Sequence, residues 1–268
     1  CKVFLMNIQG KWKTFGELAN FTFKMLVNLT LQCHATRLDF VADCYPVLSI
    51  KTAERSRRAE KGVQRIHIFG KDQAVPKQWK KFMTSGENKE SLLAFLIDHW
   101  RTYKTSQLES ISNVYITSKE KCHVLSPGAS VDDKVVCSNC SELESNHEEA
   151  DTRLLLHAKH AMNMYDSVTI KSPDTDVFIL CTAMQQTMGS KNLLMMTGMG
   201  KKHLIIHINP IINTLGEDFC RCLLGFHAYS GNNKYRKIFS EFFVNKLLIN
   251  HPKVLLWWVN RCIFSLFT

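Results

Sequence analysis

An α/β fold, with a mostly parallel central sheet and helices on both faces, is the architecture that the sequence predicts. Three observations carry it. Short β-type runs ("RLDFVAD", "NVYITS", "DSVTIKS", "NLLMMTG", "HLIIHI") alternate with helix-type segments along the chain, the pattern of strands joined by helical crossovers. The 268 residues are 45% hydrophobic and 22% charged, ordinary values for a globular chain with its own core. Residues 1–250 show no internal repeat or low-complexity linker and are read as one elaborated domain. Residues 251–268 form an apolar tail.

Residues 14–31 are expected to form a helix capped near Thr14. Leu18, Phe21, Met25 and Leu29 recur there at spacings of three or four. "RLDFVAD" follows as a buried strand delivering Asp43 at its C-terminal end, the edge where open α/β sheets bind ligands. Next comes "SIKTAERSRRAEKGVQR", with Lys51, Arg55, Arg57, Arg58, Lys61 and Arg65 and no apolar stripe. It is either a solvated charged face or, directly after Asp43, a grip for phosphates. A turn at Pro76 leads to a helix with Asn88 as its cap and Leu92, Phe95, Leu96 and Trp100 as its core stripe. Between residues 104 and 140 only the strand "NVYITS" and the loop "SPGASVDDK" are legible. Beyond them lie an apolar helix after "NHEEAD", the strand "DSVTIKS", two further strands and the helix "LGEDFCRCLLGFHAY".

The bulk chemistry narrows the partners. With 34 Lys and Arg against 24 Asp and Glu, the formal net charge is +10. Such an excess suits an anionic partner, with nucleic acid, DNA or RNA, as the leading candidate beside a merely basic surface. Ten cysteines are scattered, and reduced thiols in an intracellular, nucleus-compatible setting are the expectation. A chain that begins at Cys1 is expected to be a fragment or a processed product. "VLLWWVNRCIFSLF" contains Asn260 and Arg261 and falls short of the roughly 20 apolar residues a spanning helix needs. No membrane association is expected, and the sequence leaves the oligomeric state open.

The chemistry concentrates in "NHEEADTRLLLHAKHAMNMYDSVTIKSPDTDVFIL", residues 146–180, where Glu148, Glu149 and Asp151 are followed by Asp174 and Asp176. Neighbouring carboxylates repel unless something offsets their charge. A helix N-terminus does so in part, and hard divalent Mg or Mn does so more completely. In a parallel sheet the turn bearing Asp174 and Asp176 lies at the same edge as Asp43, so strand ends and helix start can converge. Two ions about 4 Å apart in such a pocket would serve phosphodiester hydrolysis. The plain alternative is an acid-rich first helical turn and an ordinary Asp turn. Arg153 would steady the acidic turn or make a structural ion pair.

Other motifs carry less. Cys137 and Cys140 in "CSNC" have zinc-ligand spacing, with His147, His157 and His160 nearby. No second CxxC accompanies them, and zinc is not expected. "HEEAD" has Asp151 where a zinc protease needs its second His. "TGMGKKH" lacks phosphate-loop spacing, and no G-x-S-x-G occurs.

"HEEADTRLLLHA" followed by "VTIKSPDTDVFIL" resembles a family of uncharacterised, often transposon-associated animal proteins. "KTFGELA", "VADCYPVLSIKTAERSRR", "VPKQWKKF", "ENKESLLAFL" and "LLGFHAYSGNN" extend the resemblance in order over nearly the whole chain. The core of that family is similar to the flap-endonuclease branch of the PIN-like nucleases. The resemblance implies a PIN-like core and a Mg- or Mn-dependent phosphodiester hydrolase. It assigns Asp43, Glu149, Asp151, Asp174 and Asp176 to catalysis and metal, with Glu148 in reserve, and Lys51, Arg55, Arg57 and Arg58 to the nucleic acid. Two departures accompany it. The family carries an acid where this chain has Asn233 in "SGNN", which keeps one carbonyl oxygen and loses the charge. The family's first-strand aspartate is expected just before "CKVFLMNI", outside the chain. A weakened or inactive nuclease, a nucleic-acid-binding pseudonuclease derived from a mobile element, is therefore the alternative.

Overall fold

The computed structural model describes residues 2–7, 12–44, 65–189, 191–198 and 203–229. It contains helices and strands throughout, as expected for an α/β chain. It groups into two compact units, residues 1–153 and 154–268, where the sequence is read as one domain over 1–250. The basic residues Lys51, Arg55, Arg57 and Arg58, the family position Asn233 and the apolar tail 251–268 lie outside the described residues. Among the described residues no helix is long and apolar enough to cross a membrane.

The first unit opens with a short helix, α1 (Lys2–Asn7), in the region where the resemblance places a truncated first strand. Helix α2 (Phe15–Gln32) starts at the expected cap, the Thr14 hydroxyl accepting the Glu17 N–H at 3.3 Å. Its buried face is not the expected one. Phe15, Leu18, Ala19, Phe23, Leu26 and Val27 are buried, whereas Phe21 and Met25 are exposed. Leu18 belongs to two overlapping apolar stripes, and the stripe through Phe23 and Leu26 faces the core. Strand β1 (Arg37–Phe40) follows and ends at Phe40, so Asp43 lies three residues beyond it, on the segment 41–44 rather than on the expected strand. After α3 (Trp79–Phe82) comes α4 (Gly86–Trp100). The α4 cap is Ser85 rather than Asn88, with the Ser85 hydroxyl accepting the Asn88 N–H at 3.4 Å. Asn88 instead turns its amide to the loop before it, accepting from Ile66 N at 2.9 Å and donating to Phe82 O at 3.1 Å. The α4 stripe holds as expected at Leu92, Leu96 and Trp100, all fully buried, with Phe95 at its edge. The Trp100 indole donates to Ala19 O at 3.1 Å and ties α4 to α2.

Strands β2 (Asn113–Ser118), β3 (Lys121–Ser126) and β4 (Val136–Asn139) complete a sheet of order β1-β2-β3-β4. Only β1–β2 is parallel. β2–β3 and β3–β4 are antiparallel, because the two residues Lys119 and Glu120 joining β2 to β3 are too few for a parallel crossover. Lys119 takes the left-handed conformation, φ 53°, which the tight connection demands. Phe40, Val114, Ile116 and Leu125 from the sheet meet α2 and α4 in one core.

Helix α5 (Ala150–Met162) contains the division between the units. The second unit continues through β5 (Ser167–Lys171), α6 (Thr175–Met184), β6 (Asn192–Thr197), β7 (Leu204–His207), α7 (Ile208–Leu215) and α8 (Glu217–Tyr229). Its sheet has the order β5-β6-β7, with β5–β6 parallel across α6 and β6–β7 antiparallel. Ile170, Val177, Phe178, Met195, Ile206 and Ile211 form its core. The mostly parallel central sheet is thus corrected to two mixed sheets. Helical crossovers supply the parallel pairs, and short connections force the antiparallel ones.

Candidate functional site

The end of β1 is knitted to the start of α5 inside the first unit. Ala42 N donates to the buried Thr117 hydroxyl at 2.7 Å, fixing residues 41–44 against β2. One residue on, the Asp43 carboxylate accepts the Ala150 N–H at 3.1 Å. Cys44 N then donates to Glu148 O at 2.9 Å. The first N–H groups of a helix have no partner within it, and a carboxylate there is held both by the hydrogen bond and by the helix dipole. Asp43, contributed by a segment 107 residues away, therefore caps α5 from outside. Glu148 and Glu149 precede the helix and Asp151 lies in its first turn, so the predicted helix-start acids and the strand-end acid do meet in one region.

Beneath them lies Arg153, a fully buried arginine. Its Nη1 donates to Lys119 O at 2.6 Å and, more weakly, to Ala42 O at 3.4 Å. It therefore braces the left-handed β2–β3 turn and the end of β1 at once. Its Nε and Nη2 are buried with no hydrogen-bond partner. Burial lowers its pKa, while Cys44, Cys122 and the carboxylates of Asp43 and Glu120 act in the opposite sense. The sequence leaves Arg153 between steadying the acidic turn and a structural ion pair, and its hydrogen bonds go to backbone carbonyls. Nothing local in the sequence marks Ala42 or Lys119 as its companions. Cys122 is also fully buried, and burial above all pushes its thiol up to about 12.

In the second unit Asp174 is the N-cap of α6, its Oδ1 accepting the Asp176 N–H at 3.0 Å, while Asp174 N donates to Ser172 Oγ at 3.1 Å. Asp176 occupies the first turn. The turn after the strand is where the sequence places it, but β5 belongs to a different sheet from β1. The two acidic sets therefore do not share one sheet edge.

Carboxylates are the hard donors that Mg or Mn takes. Among the described residues, no three His, Cys, Asp or Glu side chains gather into a group that could hold an ion. The thiols of Cys137 and Cys140 are free, and Cys137 Sγ accepts from Arg101 Nε at 3.1 Å. No family model, curated protein or solved structure matches the chain.

Proposed function

We propose that this chain is a nuclease-like protein acting on nucleic-acid phosphodiesters, with a PIN-like core and dependence on Mg or Mn. One observation supports it above the others: an aspartate just past β1, Asp43, is bonded directly to the acid-rich start of α5, with Glu148, Glu149 and Asp151 beside it. The resemblance adds Asp174 and Asp176, together with the basic run after Asp43, for the nucleic-acid backbone. Bound divalent metal in such a site would activate water and steady the departing oxygen. The described residues supply part of a ligand set and no three-donor group of their own, so no step is routed through an ion. Their own work is positional. Asp43 fixes the helix start, and Arg153 holds the two backbone segments that present Asp43.

A second reading is a pseudonuclease that retains nucleic-acid binding without cleavage. It is favoured by the capping roles of Asp43 and Asp174, each of which has a carboxylate oxygen on a backbone N–H, and by Asn233 at the family's acidic position. Asp174→Ala separates the two in a cleavage assay on branched DNA and RNA with Mn. Cleavage by the parent that the variant loses supports the first reading. Binding without cleavage by either supports the second, and neither binding nor cleavage contradicts both.

A further inference from the structure

The segment leading to α3 carries a feature that the acidic site does not use. Along residues 65–71 the exposed side chains are Arg65, His67, Phe69 and Lys71, alternating with the partly buried Ile66, the buried Ile68 and Gly70. This is the period of an extended chain with one face on the core. Phe69 is 86% exposed, an unusual position for a large apolar ring on an ordered segment.

The segment is firmly held. Ile66 N and Ile68 N donate to Asn88 Oδ1 and Ser91 Oγ on α4, at 2.9 and 3.3 Å. Gln73 closes the loop, accepting from Phe69 N at 2.7 Å and donating to His67 O at 3.0 Å. Gly16 N and Phe15 N at the start of α2 donate to Lys71 O and Gln73 O at 2.8 and 2.9 Å. The His67 ring lies 4.7 Å from that of Phe69, tilted by 30°, so an aromatic pair on a hydrogen-bonded backbone meets solvent. Fixing the backbone that carries the ring lowers the ordering cost of binding.

The surrounding charge selects the partner. Residues 65–81 present Arg65, Lys71, Lys77, Lys80 and Lys81, all exposed, against Asp72. Arg65 pairs with Glu87 at 2.5 Å across open surface, a contact that a phosphate can displace. Exposed aromatic faces set among cations are the elements of single-strand binding: bases stack while phosphates are attracted.

We propose that Phe69, backed by His67, is a stacking platform for an unpaired nucleobase, with the cations of 65–81 drawing the phosphates. This rests on the nucleic-acid-binding part of the reading above and adds the strand form it takes. The test is fluorescence polarisation of labelled oligothymidylate, an abasic strand of equal length and a duplex against the full chain and its Phe69→Ala and Phe69→Trp variants. Melting curves check that each variant remains folded. Phe69→Ala should weaken oligothymidylate binding on the order of 5- to 100-fold. Phe69→Trp should retain it. The salt dependence should stay unchanged, because stacking releases no counterions, and the abasic strand should bind both proteins alike. Parent-level binding by Phe69→Ala, or an equal loss on the abasic strand, overturns the platform and leaves nucleic-acid binding standing. No binding of any strand by the parent overturns both.

Discussion

Replacing Asp43 separates the two things its carboxylate does. The Oδ1 that accepts Ala150 N–H at 3.1 Å caps α5, and its negative charge sits at a helix start close enough to Arg153 to influence it. Losing a helix N-cap costs about 0.5–2 kcal/mol, typically near 1. Removing a carboxylate's charge from a helix start costs about 0.3–1 kcal/mol. Asp43→Ala loses both and should destabilise by roughly 1–3 kcal/mol. Asp43→Asn keeps an oxygen for the cap and should lose only the charge contribution, about 0.3–1 kcal/mol. At about 2–4 °C per kcal/mol for a chain of this size, thermal unfolding followed by far-UV circular dichroism should show Tm falling by about 2–12 °C for Ala and about 1–4 °C for Asn. An unchanged Tm for Asp43→Ala would refute the cap. An Asn variant as unstable as Ala would place the stabilisation in the charge rather than the hydrogen bond.

Three further outcomes follow from the same kind of argument. Asp174→Ala removes the α6 cap and should cost about 1 kcal/mol, with Asp174→Ser restoring most of it; if Ser proves no better than Ala in denaturant titration, the bond to Asp176 N is not stabilising. His99 and His123 have pKa values below the ordinary imidazole value, His99 through burial and then Lys71. For His123, burial and Arg101 outweigh the opposing Asn139 hydrogen bond. Both bind a proton more readily in the unfolded chain, so their contribution is complete above about pH 6.5 and is lost as pH falls through the folded-state values. Tm should therefore drop on acidification in that window, and a His99→Gln/His123→Asn variant should drop less; equal slopes would contradict the assignment. Burial pushes the Cys122 and Cys181 thiols up to about 12, while Cys222 is exposed. Because the thiolate is the reactive form, iodoacetamide with peptide mapping should label Cys222 first and Cys122 and Cys181 only after unfolding.

What the sequence made legible is local. Thr14 before an apolar helix, the "RLDF" run ending near Asp43, and the Leu92, Leu96 and Trp100 stripe each carry their signal within a few residues. Misreadings arose where two local solutions compete. Leu18 fits two stripes on α2, and Ser85 and Asn88 are both capping residues three apart. The hairpin of β2 and β3 escaped notice because its Lys119–Glu120 connection carries none of the Gly or Asn residues that usually mark tight turns. The antiparallel pairing of the first sheet follows from that hairpin, and that of the second from the short connection between β6 and β7. At the site, Asp43 and the α5 acids could be named individually. The bonds joining them could not, since Ala42 meets Thr117 across 75 residues, Arg153 meets Lys119 across 34 and Asp43 meets Ala150 across 107. Such contacts are set by packing of whole elements and leave no periodicity to read.

We propose that the acids at the start of α5 with Asp43, and separately Asp174 with Asp176, hold divalent ions. Calorimetric titration of Mn into the purified chain tests it most directly, with Asp43→Asn and Asp174→Ala/Asp176→Ala as folded controls. Saturable binding by the parent that is lost or strongly weakened in both controls is expected. Absence of saturable binding by a folded parent, or binding that both controls retain, would contradict it.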